Sequence, residues 1–350
     1  MNFDRVRKVA EAVLYEGYIL YPYRASAVKN RQRFNFGVLA PQAYCEATPT
    51  NESCLLRCEC LVEGDAPRLD IGVRFLHLVL REVGRLRGEF AQANGIPPYE
   101  PVEVLEVNGQ TYHTWEEAVE REIVLANLEV RALVDAPQAA DFHFGPSEQA
   151  ELLYDAAGQP AGVLVRRQER IEGRVTVEAT SLGPGRWKVT LAVGNTTPWK
   201  GAALARERAL RSSFVSAHAM LGVHDGQFVS LLDPPGDWGE AAAACQQQGA
   251  WPVLAGEERE RDLLLCSPII LYDYPQIAPE SQGDFFDAGE IDEMLALRVM
   301  TLTDEEKREM RSVDARARAI LERTETLPED QLLKLHGALR GLRSPAAAEE

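Results

Sequence analysis

The chain has 350 residues, 45% of them hydrophobic and 26% charged, with a formal net charge of −17. That length and composition suit an ordinary soluble globular protein with a large core. The negative charge argues against general attraction to a nucleic-acid backbone, and no apolar run approaches the roughly 20 residues that span a bilayer.

The start, MNFDRVRKVAEAVLYEGY, is charged and amphipathic and lacks the apolar stretch of a secretory signal, so the expected location is the cytoplasm. Val6, Val9, Ala10 and Val13 recur at helical spacing, which predicts one amphipathic helix over residues 3–16, ending at Gly17. The next stretch, YILYPYRASAVKNRQRFNF (18–36), carries Arg24, Lys29, Arg31 and Arg33 with no acid among them. Pro22 biases Tyr21 away from helix, so the chain leaves extended. Arg31, Arg33 and Asn35 alternate with Gln32, Phe34 and Phe36, as in a strand with one charged edge.

A long run of strand-like segments follows. Leu56–Glu63 and Leu69–Leu80 are separated by the turn signal GDAPR, and Val102–Val107 and Gln110–His113 flank Asn108-Gly109. Glu122–Val134 is compatible with strand, although its Glu, Ala and Leu content leaves helix open. Val163–Ala179 and Trp187–Val193 flank SLGPGR, and Ser216–His224 and Gln227–Leu232 flank Asp225-Gly226. Residues 137–149, PQAADFHFGPSEQ, are the best linker or insertion candidate. Asp237–Gln248 suggests a helix before a strand at Trp251–Leu254, and Leu263–Leu271 is a strand candidate broken by Pro268.

From about Asp287 the period becomes helical. Thr303 with Glu306 fits a capping box, with Leu302 as its apolar neighbour, and helices are expected over Asp314–Arg323 and Pro328–Leu342. So many hairpin signals with few crossover helices predict an α+β, β-rich chain. Its body is an antiparallel β-sandwich-like unit with an N-terminal helix and a helical C-terminal arm. The parts are residues 1–40 (helix and basic segment), 41–285 (β-rich body), 286–343 (helical arm) and a disordered 344–350.

Chemistry is sparse. The six cysteines do not suggest a disulfide framework in a chain of this length. Cys45, Cys54, Cys58 and Cys60 invite a metal-site reading, with Cys54, Cys58, Cys60 and His77 as the candidate ligands, and the C-x8-C-x3-C-x-C spacing is not a familiar zinc pattern. A symmetric hairpin at GDAPR would set Cys60 opposite Ile71, Cys58 opposite Val73 and Cys54 opposite His77. Cys54 and Cys60 would then lie about 20 Å apart along the strand, too far for one ion. On a strand, Leu56, Cys58, Cys60 and Val62 share a face, as small hydrophobes do. No metal and no other cofactor is therefore expected.

A two-residue turn at Asp225-Gly226 would place His218 across from Asp233, a pair able to orient an imidazole or simply to satisfy a polar contact. No phosphate-binding glycine loop or hydrolase signature is present, so enzymatic function has no motif behind it. From Glu280 to Glu309 acids dominate, and Glu280, Asp284, Asp287 and Glu290 surround the pair Phe285–Phe286. Such a loop suits a recognition surface, and equally a dock for the helical arm.

The segments EGYILYPYRASAVKNRQRFNFGVLAP (16–41), VGNTTPW (193–199), FVSLLDPP (228–235) and SPIILYDYPQIAPESQGDFFDAGEIDEMLALRVMTLTDEEKREMR (267–311) resemble a bacterial family encoded in gene clusters for nickel–iron uptake hydrogenases. The resemblance covers most of the chain and implies a role in maturation, assembly or electron-transfer support of that enzyme. It assigns no residue a chemical task. The implied partner is a hydrogenase subunit or maturation factor, with neither nucleic acid nor membrane insertion. Two classes of function compete. One is a non-catalytic accessory protein that binds a subunit or its precursor. The other is an enzyme or a metal- or cofactor-handling protein using a cleft around His218 and Asp233 or the acidic loop at 280–293. Arg24, Lys29, Arg31 and Arg33 would either clasp the acidic stretch internally or face an acidic partner. If they face a partner, replacing all four with Ala abolishes capture of that partner and leaves the thermal midpoint nearly unchanged. A large drop in the midpoint would assign them to the internal clasp.

Overall fold

The computed structural model of the chain describes residues 3–15, 36–48, 51–87, 95–199, 206–276, 299–313 and 315–326. Strands β1 (Leu55–Glu63) and β2 (Arg68–Leu86) form where the alternating segments predict them. The turn between them does not make a hairpin. β1 pairs with β11 (Arg186–Asn195), so Cys58 faces Leu191 and Cys60 faces Val189 in register. β2 belongs to a different sheet. The reason lies in the side chains: Leu56, Cys58, Cys60 and Val62 on β1 and Leu69, Ile71, Val73 and Phe75 on β2 are all buried in one cluster. Packing two sheets face to face buries both rows against each other, whereas side-by-side pairing would leave both rows needing a cover.

The first sheet has the order β13 (Gln227–Val229), β1, β11, β10 (Ile171–Gly183), β7 (Gln138–Phe144). The second runs β14 (Trp251–Ala255), β15 (Leu263–Ser267), β12 (Val215–His224), β2, β9 (Pro160–Gln168), β8 (Ser147–Tyr154). β6 (Trp115–Glu129) and β3 (Tyr99–Val102) line the other edge of β2, since Arg68–Leu76 pair with both β12 and β6. All pairings between these strands are antiparallel, so the body is a strand-dominated α+β structure of two packed sheets.

Several expectations are corrected by this wiring. Val163–Ala179 is two strands, β9 and β10, in different sheets. The linker candidate at 137–149 is instead β7 and the start of β8, and its Phe142 and Phe144 help to fill the core. Helix over Asp237–Gln248 is reduced to a 3-10 turn, Gly236–Trp238, and α5 (Gly239–Ala243). The ambiguous Glu122–Val134 ends β6 and, after Val130, begins the short helix α3 (Ala132–Asp135). The Asn108-Gly109 hairpin is as expected. β4 (Val104–Val107) pairs with β5 (Gln110–His113) across positive φ angles of 55° and 73°, the backbone that a two-residue turn of this hand requires.

Between the sheets the aromatic rings set the spacing. Phe75 stacks on Phe214 with centroids 4.5 Å apart, and Phe142 lies 5.4 Å from Phe214 and 5.9 Å from Phe75. Gly173 makes room for them, because a Cβ there would collide with the rings of Phe142 and Phe214.

The outer face of the second sheet is covered by helices. α1 (Asp4–Tyr15) has Asp4 in its first turn, where a negative charge favours the helix N-terminus. Phe3, just before it, and its Val6, Ala10 and Val13 pack with Met220 and β14–β15 residues, and its Leu14 with Leu76, Leu78 and Val215. α2 (Gln42–Ala47) and α4 (Arg206–Leu210) add Tyr44, Ala209 and Leu210 to the second cluster. α6 (Asp304–Val313) and α7 (Ala315–Thr326) join through Met310 and Leu321, with Val299 before them. The capping box forms: Glu306 accepts from the Thr303 N–H at 2.6 Å, and Thr303 Oγ1 accepts from the Glu306 N–H at 3.3 Å. The described helices of the arm thus share a core with the N-terminal helix; Pro328–Leu342 lies outside the described residues. Phe75→Ala should cost about 3–5 kcal/mol of unfolding free energy in urea titration, since it empties the centre of the ring cluster.

Candidate functional site

β2 carries a charge in the middle of an otherwise apolar run. Arg74 points to the outer face of the sheet, with Leu76 and Leu78, and is 2% exposed. Its neighbour in the β2–β12 register is His218, which is fully buried. Glu120 of β6 receives an Arg74 hydrogen bond at 3.1 Å, and Glu11 of α1 lies 3.9 Å from the same nitrogen. A guanidinium under a helix is thereby held by carboxylates from two elements, the compensation that a buried cation requires.

Just before His218, β12 bulges: Val215 pairs with Leu76 and His218 with Arg74, so one extra residue is accommodated. Ser216 takes the left-handed conformation there, with φ 55°. Its carbonyl accepts from His218 Nδ1–H at 2.9 Å. A carbonyl can only accept, so Nδ1 carries the proton and Nε2 presents a lone pair. Among the described residues, His218 Nε2, Ser216 Oγ and Arg74 Nη1 are buried without a hydrogen-bond partner.

Burial pushes the His218 imidazole down to about 4; the Ser216 carbonyl opposes this, and the Arg74 charge adds to it. A base that weak is a poor proton acceptor near neutrality, where general bases work with pKa values close to the ambient pH. Inside the fold the His218 Nε2 lone pair is left as an acceptor and Arg74 Nη1 as a donor.

Asp233 does not join this site as the hairpin reading expected. Asp225, with φ 56°, makes the turn, but β13 then pairs with β1 in the first sheet, Leu61 opposite Val229. Arg74, not Asp233, faces His218 in register, while the Asp233 N–H donates to Ser230 Oγ at 2.9 Å. Phe228 drives the switch, since it is fully buried in the inter-sheet core.

The metal-ligand candidates are dispersed. Cys58 and Cys60 are buried between the sheets, and burial raises both thiols well above their ordinary range. Cys54 is only partly buried. His77 lies inward beside Arg121, and burial, with that charge second, lowers it to about 4. Among the described residues no three His, Cys, Asp or Glu side chains converge to hold a metal ion. Arg24, Lys29, Arg31, Arg33, Glu280, Asp284, Phe285, Phe286, Asp287 and Glu290 lie outside the described residues.

A second feature is on the surface, after β15. Ile269 and Leu271 pack inward against the α1, β14 and β15 cluster, while Ile270 and Tyr272 are 78% and 88% exposed. The next residues anchor the strip. Asp273 accepts from Ser230 Oγ at 2.5 Å and from the Leu254 N–H at 2.8 Å, and the Tyr274 N–H donates to the Leu254 carbonyl at 2.7 Å. Two apolar side chains are therefore presented outward by a pinned backbone. No family model and no curated protein matches the chain.

The sequence reading passed over Arg74 and gave Ser216 no place beside His218. The signal for Arg74 was present: an arginine inside LDIGVRFLHLVL must either end the strand or find a buried partner. Ser216 had none, because its left-handed backbone is set by the bulge.

Both low-pKa histidines affect stability. Unfolded histidine titrates near 6.5, so below that pH the unfolded chain binds more protons than the folded one. Their contribution is fully present above pH 6.5 and is lost as pH falls toward 4. From pH 7 to pH 5 each should cost roughly 2 kcal/mol. Urea unfolding of His77→Gln and His218→Gln variants checks this: each should lose less stability than the parent over that interval.

Proposed function

We propose that the chain is a non-catalytic accessory protein that assists assembly or maturation of a nickel–iron hydrogenase in the cytoplasm by binding a subunit or its precursor. The observation that carries this reading is the strip after β15, where Ile270 and Tyr272 face outward from an anchored backbone. The strip opens the longest segment that carries the family resemblance, residues 267–311. Covering one such side chain is worth about 1.5–3 kcal/mol, enough for a pair of them to dominate a modest interface. The net charge of −17 adds long-range attraction toward a basic surface on the partner. Among the described residues no helix is long and apolar enough to cross a membrane.

A second reading has its own support. The buried trio of Arg74, Ser216 and His218 suits handling of a small polar ligand, and the weakly basic imidazole favours holding over proton transfer.

Co-expression with tagged large or small hydrogenase subunits tests the proposal. The parent chain should be captured by one of them, and an Ile270→Ser/Tyr272→Ser variant at least tenfold less, with the thermal midpoint unchanged. If the parent is captured by neither subunit, the accessory reading is wrong.

A further inference from the structure

Two pairs of cysteines are side-chain neighbours, and they differ in access. Cys58 on β1 and Cys266 on β15 meet across the inter-sheet core, where both are fully buried. Cys45 and Cys54 meet at the edge of the body, and both are partly exposed.

The local backbone brings the second pair together. Leu39 bridges to Ser53, and the Ala40 N–H donates to the Ser53 carbonyl at 2.8 Å. Pro41 then starts α2, and the Cys45 N–H returns to the Pro41 carbonyl at 3.1 Å. Cys45 thus lies one turn into a helix that begins beside Ser53. Cys54 is the next residue along, held by the Asn195 N–H on its carbonyl at 3.0 Å. Glu52 is tied to Arg206 of α4 at 2.6 Å, which fixes the chain just before the pair.

We propose that Cys45 and Cys54 form a reversible disulfide site, closed by a small disulfide oxidant such as oxidised glutathione. One protein thiolate attacks a glutathione sulfur, and the glutathione S–S bond breaks to release one glutathione thiol. The second protein thiolate then attacks the mixed disulfide and releases the other. The two protein thiols lose two electrons and two protons in all, and one small disulfide becomes two thiols. Burial, with Cys54 and Glu52 beside it, pushes the Cys45 thiol up to about 11. The reaction is accordingly slow at neutral pH and speeds up as pH rises.

The bond would tie α2 to the entry of β1. α2 carries Tyr44, which stands edge-on to Trp199 at 5.6 Å and packs in the cluster that holds Leu14, Val299, Met310 and Leu321. Closing the bond therefore fixes the floor on which the N- and C-terminal helices rest.

The test uses the full-length folded chain with excess oxidised glutathione at mildly alkaline pH, read by intact mass and peptide mapping. The expected result is loss of two hydrogens, a single link between Cys45 and Cys54, and reversal by reductant. Cys45→Ser and Cys54→Ser variants should each gain one glutathione on the remaining cysteine of the pair. A stable glutathione adduct on the parent chain, no link at all, or a link mapped to Cys58–Cys266 would overturn the proposal. The parent's own map decides the matter even if a variant folds poorly.

Discussion

The structure depends on β2 being covered on both faces. Its inner row, Leu69, Ile71, Val73 and Phe75, packs on the first sheet, and its outer row, Leu76 and Leu78, packs under helices from both ends of the chain. A strand in an antiparallel sandwich ordinarily shows one face to water and alternates accordingly. Here the run LDIGVRFLHLVL is nearly continuous in burial, and each flank is extended by two partners: β12 and β9 on one edge, β6 and β3 on the other. Removing either cover would expose a long apolar strip, so the terminal helices are structural parts of the body rather than appendages.

The same constraint creates the polar cluster. A strand covered twice has no wet face on which to place a charge, so Arg74 must be paired where it stands, and Glu120 and Glu11 supply the pairing. His218, adjacent in register, must stay neutral for the same reason. Polar groups buried at such cost are retained for specificity of packing or for binding. At this site the His218 Nε2, the Ser216 hydroxyl and one Arg74 nitrogen, Nη1, are left without partners among the described residues.

The outward strip at Ile270 and Tyr272 follows from geometry on the opposite side of that economy. After β15 the chain leaves the sheet and is pinned at Asp273 and Tyr274; Ile269 and Leu271 pack against the core, and Ile270 and Tyr272 are left outside. An anchored segment cannot roll to hide all of its apolar side chains.

The sequence alone determined many of the local elements. The helical period of the N-terminal helix, the Asn108-Gly109 turn, the alternation in β1 and β11, the Pro268 break and the Thr303–Glu306 cap are all encoded within a few residues, and each appears where the pattern places it. Tertiary structure alone decided which strand pairs with which. GDAPR and Asp225-Gly226 reverse the chain, but a turn signal does not say whether the next strand lies beside the last or across the core from it. That choice belongs to the apolar rows of β1, β2 and Phe228, which are buried best by crossing between sheets. The candidate site followed the same division. His218 was visible as a residue, but its partner became Arg74 rather than Asp233 because sheet membership, not sequence distance, sets what faces it.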